Sequence, residues 1–102
     1  MENSRIDVLK QLLEHDPSSI FARYGLAMEY VKAGQFDAAV AEFDAITTAD
    51  PSYSAAYYHG GQALEKLGRI DHARNLYRRG VERSVDPHAR AELQAALDIL
   101  GD

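Results

Sequence analysis

An internal repeat of 34 residues is the feature that most constrains how this chain can fold. When residues 16–49 are compared with residues 50–83, nine pairs of positions hold the same residue. Units of this length cannot bury their apolar faces alone, so they stack on one another into a continuous core. The identical pairs are Asp16/Asp50, Pro17/Pro51, Ser18/Ser52, Ala22/Ala56, Tyr24/Tyr58, Lys32/Lys66, Gly34/Gly68, Asp37/Asp71 and Ala39/Ala73.

Each unit is predicted to contain two helices. In the first unit, apolar residues recur at helical spacing up to Gly34, and a second such run ends before Pro51. Proline cannot continue a helix interior, so Pro17 and Pro51 mark successive units. Flanking segments have the same spacing, and Asp86 followed by Pro87 is a helix-start signal. The predicted helices cover residues 5–15, 18–33, 36–48, 53–67, 70–84 and 87–100.

Gly60 stands out inside the second unit, because the first unit has Leu26 at the matching position. We expect the missing side chain to leave a gap or to admit a neighbouring ring. An interior glycine also costs a helix about 0.5–1 kcal/mol relative to alanine. The sequence therefore predicts that Gly60→Ala stabilises the domain.

The composition disfavours several kinds of chemistry. At 46% hydrophobic and 26% charged residues the chain is an ordinary globular protein, and it has no cysteine for a disulfide, a thiol nucleophile or a thiolate metal site. There is no glycine-rich phosphate loop, and no histidine pair has metal-ligand spacing. The four histidines are His15, His59, His72 and His88. We therefore expect no cofactor, no metal and no enzymatic activity.

The start of the chain and its charge set expectations about location and partners. The first residues lack the basic stretch and apolar core of a secretory signal, and no apolar run reaches the 18 residues of a membrane helix. A net charge of −5 disfavours binding to nucleic acid. We expect a cytoplasmic protein that binds neither membranes nor nucleic acids.

One stretch runs against the net charge. Residues 66–90 carry seven Lys or Arg residues against three Asp or Glu residues. A solvated helix face is the simpler interpretation, and a secondary docking face for an acidic partner is the alternative. The arginines of that candidate face are Arg74, Arg78, Arg79 and Arg83.

The two units resemble the tetratricopeptide repeat, whose pattern is W-x2-L-G-x2-Y, then A-x3-F, then P. The first unit offers Leu26-Ala27-x2-Tyr30, Ala39-x3-Phe43 and Pro51, with Arg23 in place of the tryptophan. The second offers Tyr57-x2-Gly60-Gly61-x2-Leu64 and Ala73-x3-Tyr77. It departs from the pattern at Gly60, which replaces the leucine, and at Val85, which replaces the proline.

This resemblance implies an all-α fold, a right-handed stack of antiparallel helical hairpins with about six helices. It predicts a single domain over residues 1–102. Its parts are an N-terminal flanking helix at 3–17, repeats at 18–51 and 52–85, and a C-terminal capping helix at 86–102.

The resemblance also implies a function in protein–protein interaction, since the first helices of such repeats line a concave face that receives peptides. The matching positions predict a groove formed by Phe21, Tyr24, Met28, Val31, Tyr58, His59, Gln62 and Glu65. Tyr24, Met28, Tyr58 and Gln62 stand where chaperone-binding members carry lysines and asparagines for a terminal carboxylate. The sequence therefore predicts a ligand held by apolar and aromatic contact.

Three alternatives remain open at this point. A flanking helix could cover the groove. The chain could be a scaffold that forms homodimers, since two repeats are few and an uncovered apolar edge could pair two copies. It could also be a regulatory subunit of a larger complex.

Overall fold

The computed structural model describes residues 4–101 and contains six α-helices and no strand within that range, of which 81% is helical. The predicted all-α stack of hairpins is confirmed. Helix ends differ from the predicted ones by at most two residues. The helices are α1 (Arg5–His15), α2 (Ile20–Lys32), α3 (Phe36–Ala49), α4 (Ser54–Lys66), α5 (Ile70–Arg83) and α6 (Pro87–Leu100).

A hydrogen-bonded turn precedes α2, so the helix begins later than predicted. The same turn recurs one repeat later. The Asp16 carboxylate accepts hydrogen bonds from the Ser18 backbone N–H (3.2 Å) and hydroxyl (2.8 Å). Ser52 donates the same two bonds to Asp50, at 3.1 and 2.8 Å. Ser19 then caps α2 by accepting from the backbone N–H of Ala22. Two turns of the same construction therefore redirect the chain in the same way at each unit boundary.

Glycines end the first helix of each unit. Gly34 has a φ of 77° and Gly68 a φ of 76°, a left-handed conformation that glycine adopts without steric penalty. Beyond Gly34, the Gln35 N–H donates to the Tyr30 carbonyl at 2.8 Å, and the corresponding bond beyond Gly68 is 2.9 Å. This hydrogen-bond pattern satisfies the last carbonyls of α2 and α4 and turns the chain back into the second helix.

The helices form two layers. One cavity lies between α2 and α4 and two more lie between α4 and α6, while α3 and α5 line a cavity of their own. Helix α1 packs on α2 through partly buried aliphatic residues. Helices α2, α4 and α6 therefore form one layer and α3 and α5 the other, with α1 packed on α2.

Two apolar clusters hold these layers together. The first surrounds Phe43, and the second surrounds Tyr77, its equivalent one repeat later; both rings are fully buried. Helix α6 completes the second cluster by burying Leu93, Ala96 and Leu97 against α4 and α5. The second cluster therefore depends on residues beyond the second predicted repeat.

The space beside Gly60 is filled. Gly60 is buried, and a Cβ atom built there would lie 2.8 Å from Leu76 Cδ2 and 3.3 Å from Phe43 Cβ. The gap is therefore absent and the other expectation holds, because Phe43, together with Leu76, occupies the place of the missing side chain. Because a methyl group at Gly60 must displace the end of Leu76, the stabilisation expected from helix propensity alone does not follow.

Gly61→Ala is expected to destabilise the domain by about 1–3 kcal/mol, in the range of overpacked cores. A methyl group at Gly61 would overlap the ring of Tyr77, which is fully buried and whose hydroxyl is hydrogen-bonded. Chemical denaturation of the purified variant measures the change. Gly60→Ala is the matched control and should change stability less, because the flexible end of Leu76 can move and Phe43 must shift by only a few tenths of an ångström. Equal losses in the two variants would contradict this account.

Candidate functional site

A groove runs along the layer formed by α2, α4 and α6, and it has two parts on either side of α4. The part between α2 and α4, here called the apolar half, has a volume of about 350 Å³ and is lined by Met28, Val31, Phe36, Tyr58, His59, Gln62, Ala63 and Lys66. The part between α4 and α6, here called the acidic half, has a volume of about 390 Å³ and is lined by Tyr58, Gln62, Glu65, Glu92, Ala95, Ala96 and Ile99. Both volumes fall in the range of ligand pockets.

Tyr58 is the centre of the groove. Its side chain lines both halves and also a smaller cavity of about 240 Å³ at the start of α4 and α6. Helical spacing explains its neighbours, because Gln62 and Glu65 follow it at four and seven residues and so share its face of α4. The structure therefore brings together the predicted site residues of α4 with Met28 and Val31 of α2.

Tyr24, the equivalent of Tyr58 one repeat earlier, lies at the edge of the core. Its ring is half-buried, with ring-centre distances of 5.6 Å to Tyr53 and 6.2 Å to both Phe43 and His59. Burial, with a smaller contribution from Tyr53, raises the pKa of the Tyr24 phenol. The two equivalent tyrosines therefore have different surroundings, and Tyr24 packs against the rings that support the groove.

His59 is held within the same group of aromatic rings. Its ring stacks on Phe43 at 6.3 Å and meets Tyr58 edge-on at 5.3 Å. Burial lowers the pKa of the imidazole, and the nearby Glu92 carboxylate opposes that shift. At neutral pH the His59 side chain is therefore an uncharged part of the groove wall.

A hydrogen-bonded network forms the floor on the α4 side. The Gln62 amide donates to the Tyr77 hydroxyl at 3.0 Å, and that hydroxyl donates to the Glu65 carboxylate at 2.5 Å. Burial, followed by the hydrogen bond to Glu65, raises the pKa of Tyr77 far above its ordinary value, so the phenol keeps its proton. Tyr77 thereby fixes the positions of two side chains that face the groove.

The α6 wall was missed by the sequence analysis. Glu92, Ala95 and Ile99 recur at three and seven residues, which places them on one face of α6. That pattern is visible in the sequence. It was overlooked because the groove was predicted only from the two complete repeats.

Phe21 and Ile99 are large apolar side chains that are almost fully exposed. Phe21 is 85% exposed near the start of α2, and Ile99 is 84% exposed on the wall of the acidic half. One repeat after Phe21 stands Ala55, which lines the small cavity between α4 and α6. The repeat therefore assigns Phe21 to the groove side of α2.

The four arginines predicted as a secondary basic face do not share one environment. Arg74 donates to the Gly101 carbonyl and to Asp71, both at 2.6 Å, and so ties the end of α6 to α5. Arg79 lies 5.7 Å from the centre of the Tyr57 ring and lines the cavity between α3 and α5. Arg78 and Arg83 are exposed on α5, in the layer opposite the groove. That the four arginines form a secondary docking face stays a prediction.

Residues 4–101, which the structure describes, contain no group of three or more histidine, aspartate or glutamate side chains placed to hold a metal ion. Within the same range, none of the helices combines the length and the apolar character needed to cross a bilayer.

A model of the tetratricopeptide repeat matches residues 24–87 of the chain. Among curated proteins, the small glutamine-rich tetratricopeptide repeat-containing protein 2 of Mycosarcoma maydis is 32% identical over 82 residues. The match covers 80% of this chain but only 23% of that relative, so the chain spans about a quarter of its length.

Solved structures show the same arrangement. The solution structure of a tetratricopeptide repeat domain protein from Salinibacter ruber is 35% identical with a TM-score of 0.78, and the match covers 84% of this chain and 90% of that one. A protein from Bordetella parapertussis, also solved in solution, is 27% identical with a TM-score of 0.80. That match covers 97% of this chain and 89% of the other.

The free energy of unfolding is expected to fall as the pH is lowered from 6.5, because of His59. Its pKa is lower in the folded protein than the ordinary value of 6.5, so the unfolded chain takes up the proton first. His59→Phe keeps an aromatic ring but removes the titration, so the loss at acid pH should shrink. Denaturation at pH 7 and at pH 5.5 measures the free energy of unfolding of each protein and so the loss between the two pH values. An unaltered slope in His59→Phe would contradict the assignment.

Proposed function

Because this chain belongs to the tetratricopeptide repeat family, whose members are generally protein-interaction modules, we propose that it binds a peptide segment of a partner protein in the groove between α2, α4 and α6. The observation that carries the proposal is the apolar half, where Met28, Val31 and Tyr58 form a mostly apolar hollow that the fold leaves open. Apolar and aromatic surfaces of this kind bind ligands by desolvation.

The flanking helices support an open groove. Helix α1 packs against α2 and lines neither half of the groove, and α6 lies beside α4 as a further wall. The alternative in which a flanking helix covers the groove is therefore not favoured by their positions. Helix α6 lengthens the groove instead.

The chemistry of the walls favours an apolar or amphipathic segment. Met28 offers an adaptable thioether, and Tyr58 offers a ring whose polar end can stay wet. The exposed Phe21 extends the same surface along α2. We propose that the ligand presents two or more apolar side chains to this surface and is not held by its terminal carboxylate.

Self-association is the second candidate, and the exposed face of α1 favours it. Val8 and Leu12, one helical turn apart, are 45% and 50% exposed. A homodimer through this face would leave the groove available, so a structural scaffold and a peptide-binding module are separable by experiment. A regulatory subunit would use the groove in the same way as the leading proposal.

Tyr58→Ala is expected to weaken binding of the peptide ligand at least tenfold, or by about 1.4 kcal/mol of binding free energy. A displayed library of random dodecapeptides selected on the purified chain supplies the probes, and fluorescence anisotropy of synthetic labelled peptides measures the affinity. Phe21→Ala should reduce affinity without altering stability, since that ring is mostly exposed.

Arg83→Ala, on the exposed side of the opposite layer, is the matched control and should bind normally. Circular dichroism confirms that each variant is folded. Selected peptides that bind Tyr58→Ala normally but lose affinity in Arg83→Ala would move the site to the basic face. A chain that selects no peptide but runs as a dimer in light scattering would favour the scaffold.

A further inference from the structure

The two halves of the groove differ in charge. The apolar half contains Lys66 at one end, whereas the acidic half has Glu65 on the α4 wall and Glu92 on the α6 wall. Both carboxylates lie beside apolar groups, including the ring of Tyr58. A ligand that spans both halves therefore meets a surface whose polarity changes from one side of α4 to the other.

The charge on these two carboxylates is not cancelled by their contacts. Glu65 accepts a hydrogen bond from the Tyr77 phenol, which is neutral, so this contact brings no positive charge to the carboxylate. The Glu92 side chain is 59% exposed and lies 3.7 Å from His88, an imidazole that is charged only when protonated. The acidic half therefore retains negative potential at neutral pH.

The rest of this half suits a long cationic side chain. Ala95 and Ile99 offer apolar contact at the positions that follow Glu92 on the same face of α6. The methylene groups of lysine and arginine pack on such surfaces while the charged end stays at the polar rim. The face of a tyrosine ring adds attraction for a cation.

We propose that the acidic half receives a lysine or arginine side chain of the bound peptide, next to an apolar residue of the same peptide in the apolar half. The inference rests on the proposed function, since it assigns the chemistry of one part of the same groove. Helices in contact lie about 8–10 Å apart, and an extended chain rises about 3.3 Å per residue. The basic and apolar residues of an extended ligand are therefore separated by roughly three residues.

The same arrangement sets the direction of the ligand. Lys66 disfavours a second cation in the apolar half, while Glu65 and Glu92 attract one on the other side of α4. A peptide with one basic and one apolar residue therefore binds in one orientation. Its basic residue faces α6 and its apolar residue faces α2.

Parallel selections on the wild type and on Glu92→Lys test the inference, with a displayed random dodecapeptide library as the probe. Peptides from the wild type should be enriched in lysine or arginine roughly three residues from an apolar side chain. Selection on Glu92→Lys should lose that enrichment or replace it with aspartate and glutamate. Glu82→Lys, which makes the same charge change at an exposed site on α5, is the matched control and should keep the wild-type preference.

Anisotropy with a labelled wild-type-selected peptide gives the decisive comparison. Replacing the basic residue of this peptide by glutamate should lower its affinity for the wild type at least tenfold. The same replacement should lower its affinity for Glu92→Lys much less, or should raise it. Peptides that still require Tyr58 but show no basic preference would overturn this inference and leave the proposed function standing. Failure to select any Tyr58-dependent peptide would overturn the proposed function itself. If Glu92→Lys is unstable, Glu92→Gln should show the loss of preference without the reversal.

Discussion

The close approach of side chains to the backbone of α4 is the constraint on which the rest of the structure depends. Gly60 receives Phe43 from α3 and Leu76 from α5, while Gly61 lies against the ring of Tyr77. Because helix α4 is packed from both sides at these adjacent positions, its orientation about its own axis is fixed. The face left over carries Tyr58, Gln62 and Glu65, so the packing that joins the hairpins also determines which residues line the groove.

The fold was predictable because its signals are local and repeated. Proline and glycine limit the backbone at the unit boundaries, and the apolar spacing between them is helical, so the helices could be located to within two residues. The surroundings of Gly60 could not be predicted in the same way. They depend on Phe43 and Leu76, which come from two other helices, and no periodicity within one helix reports how their ends meet. Glycine at this position leaves room for Phe43 and Leu76, so it serves the packing and is not a weak point of the helix.

The candidate site was predictable in outline and not in its internal differences. Sequence equivalence treats Tyr24 and Tyr58 as a pair, but each ring's role depends on the helix that follows it in the layer. Beside Tyr24, helix α4 and the turn before it bring His59 and Tyr53, which pack against the ring. Beside Tyr58, helix α6 offers Glu92 and smaller side chains and leaves open space. Because the last helix departs from the repeat pattern, the two equivalent tyrosines have different surroundings.

The charge of the groove depends on which helices the fold makes neighbours, and not on the runs of like charge along the sequence. The basic stretch at residues 66–90 suggests an acidic partner, yet four of its six arginines lie on α5, in the layer facing away from the groove, and Arg74 is engaged with the end of α6. The groove acquires its negative charge from Glu65 and Glu92, which are 27 residues apart and meet only because α4 and α6 are neighbours. A net charge of −5 adds a long-range attraction for a cationic peptide, which raises the association rate more than the affinity. The carboxylates inside the groove then act at short range, where they determine the orientation in which that peptide binds.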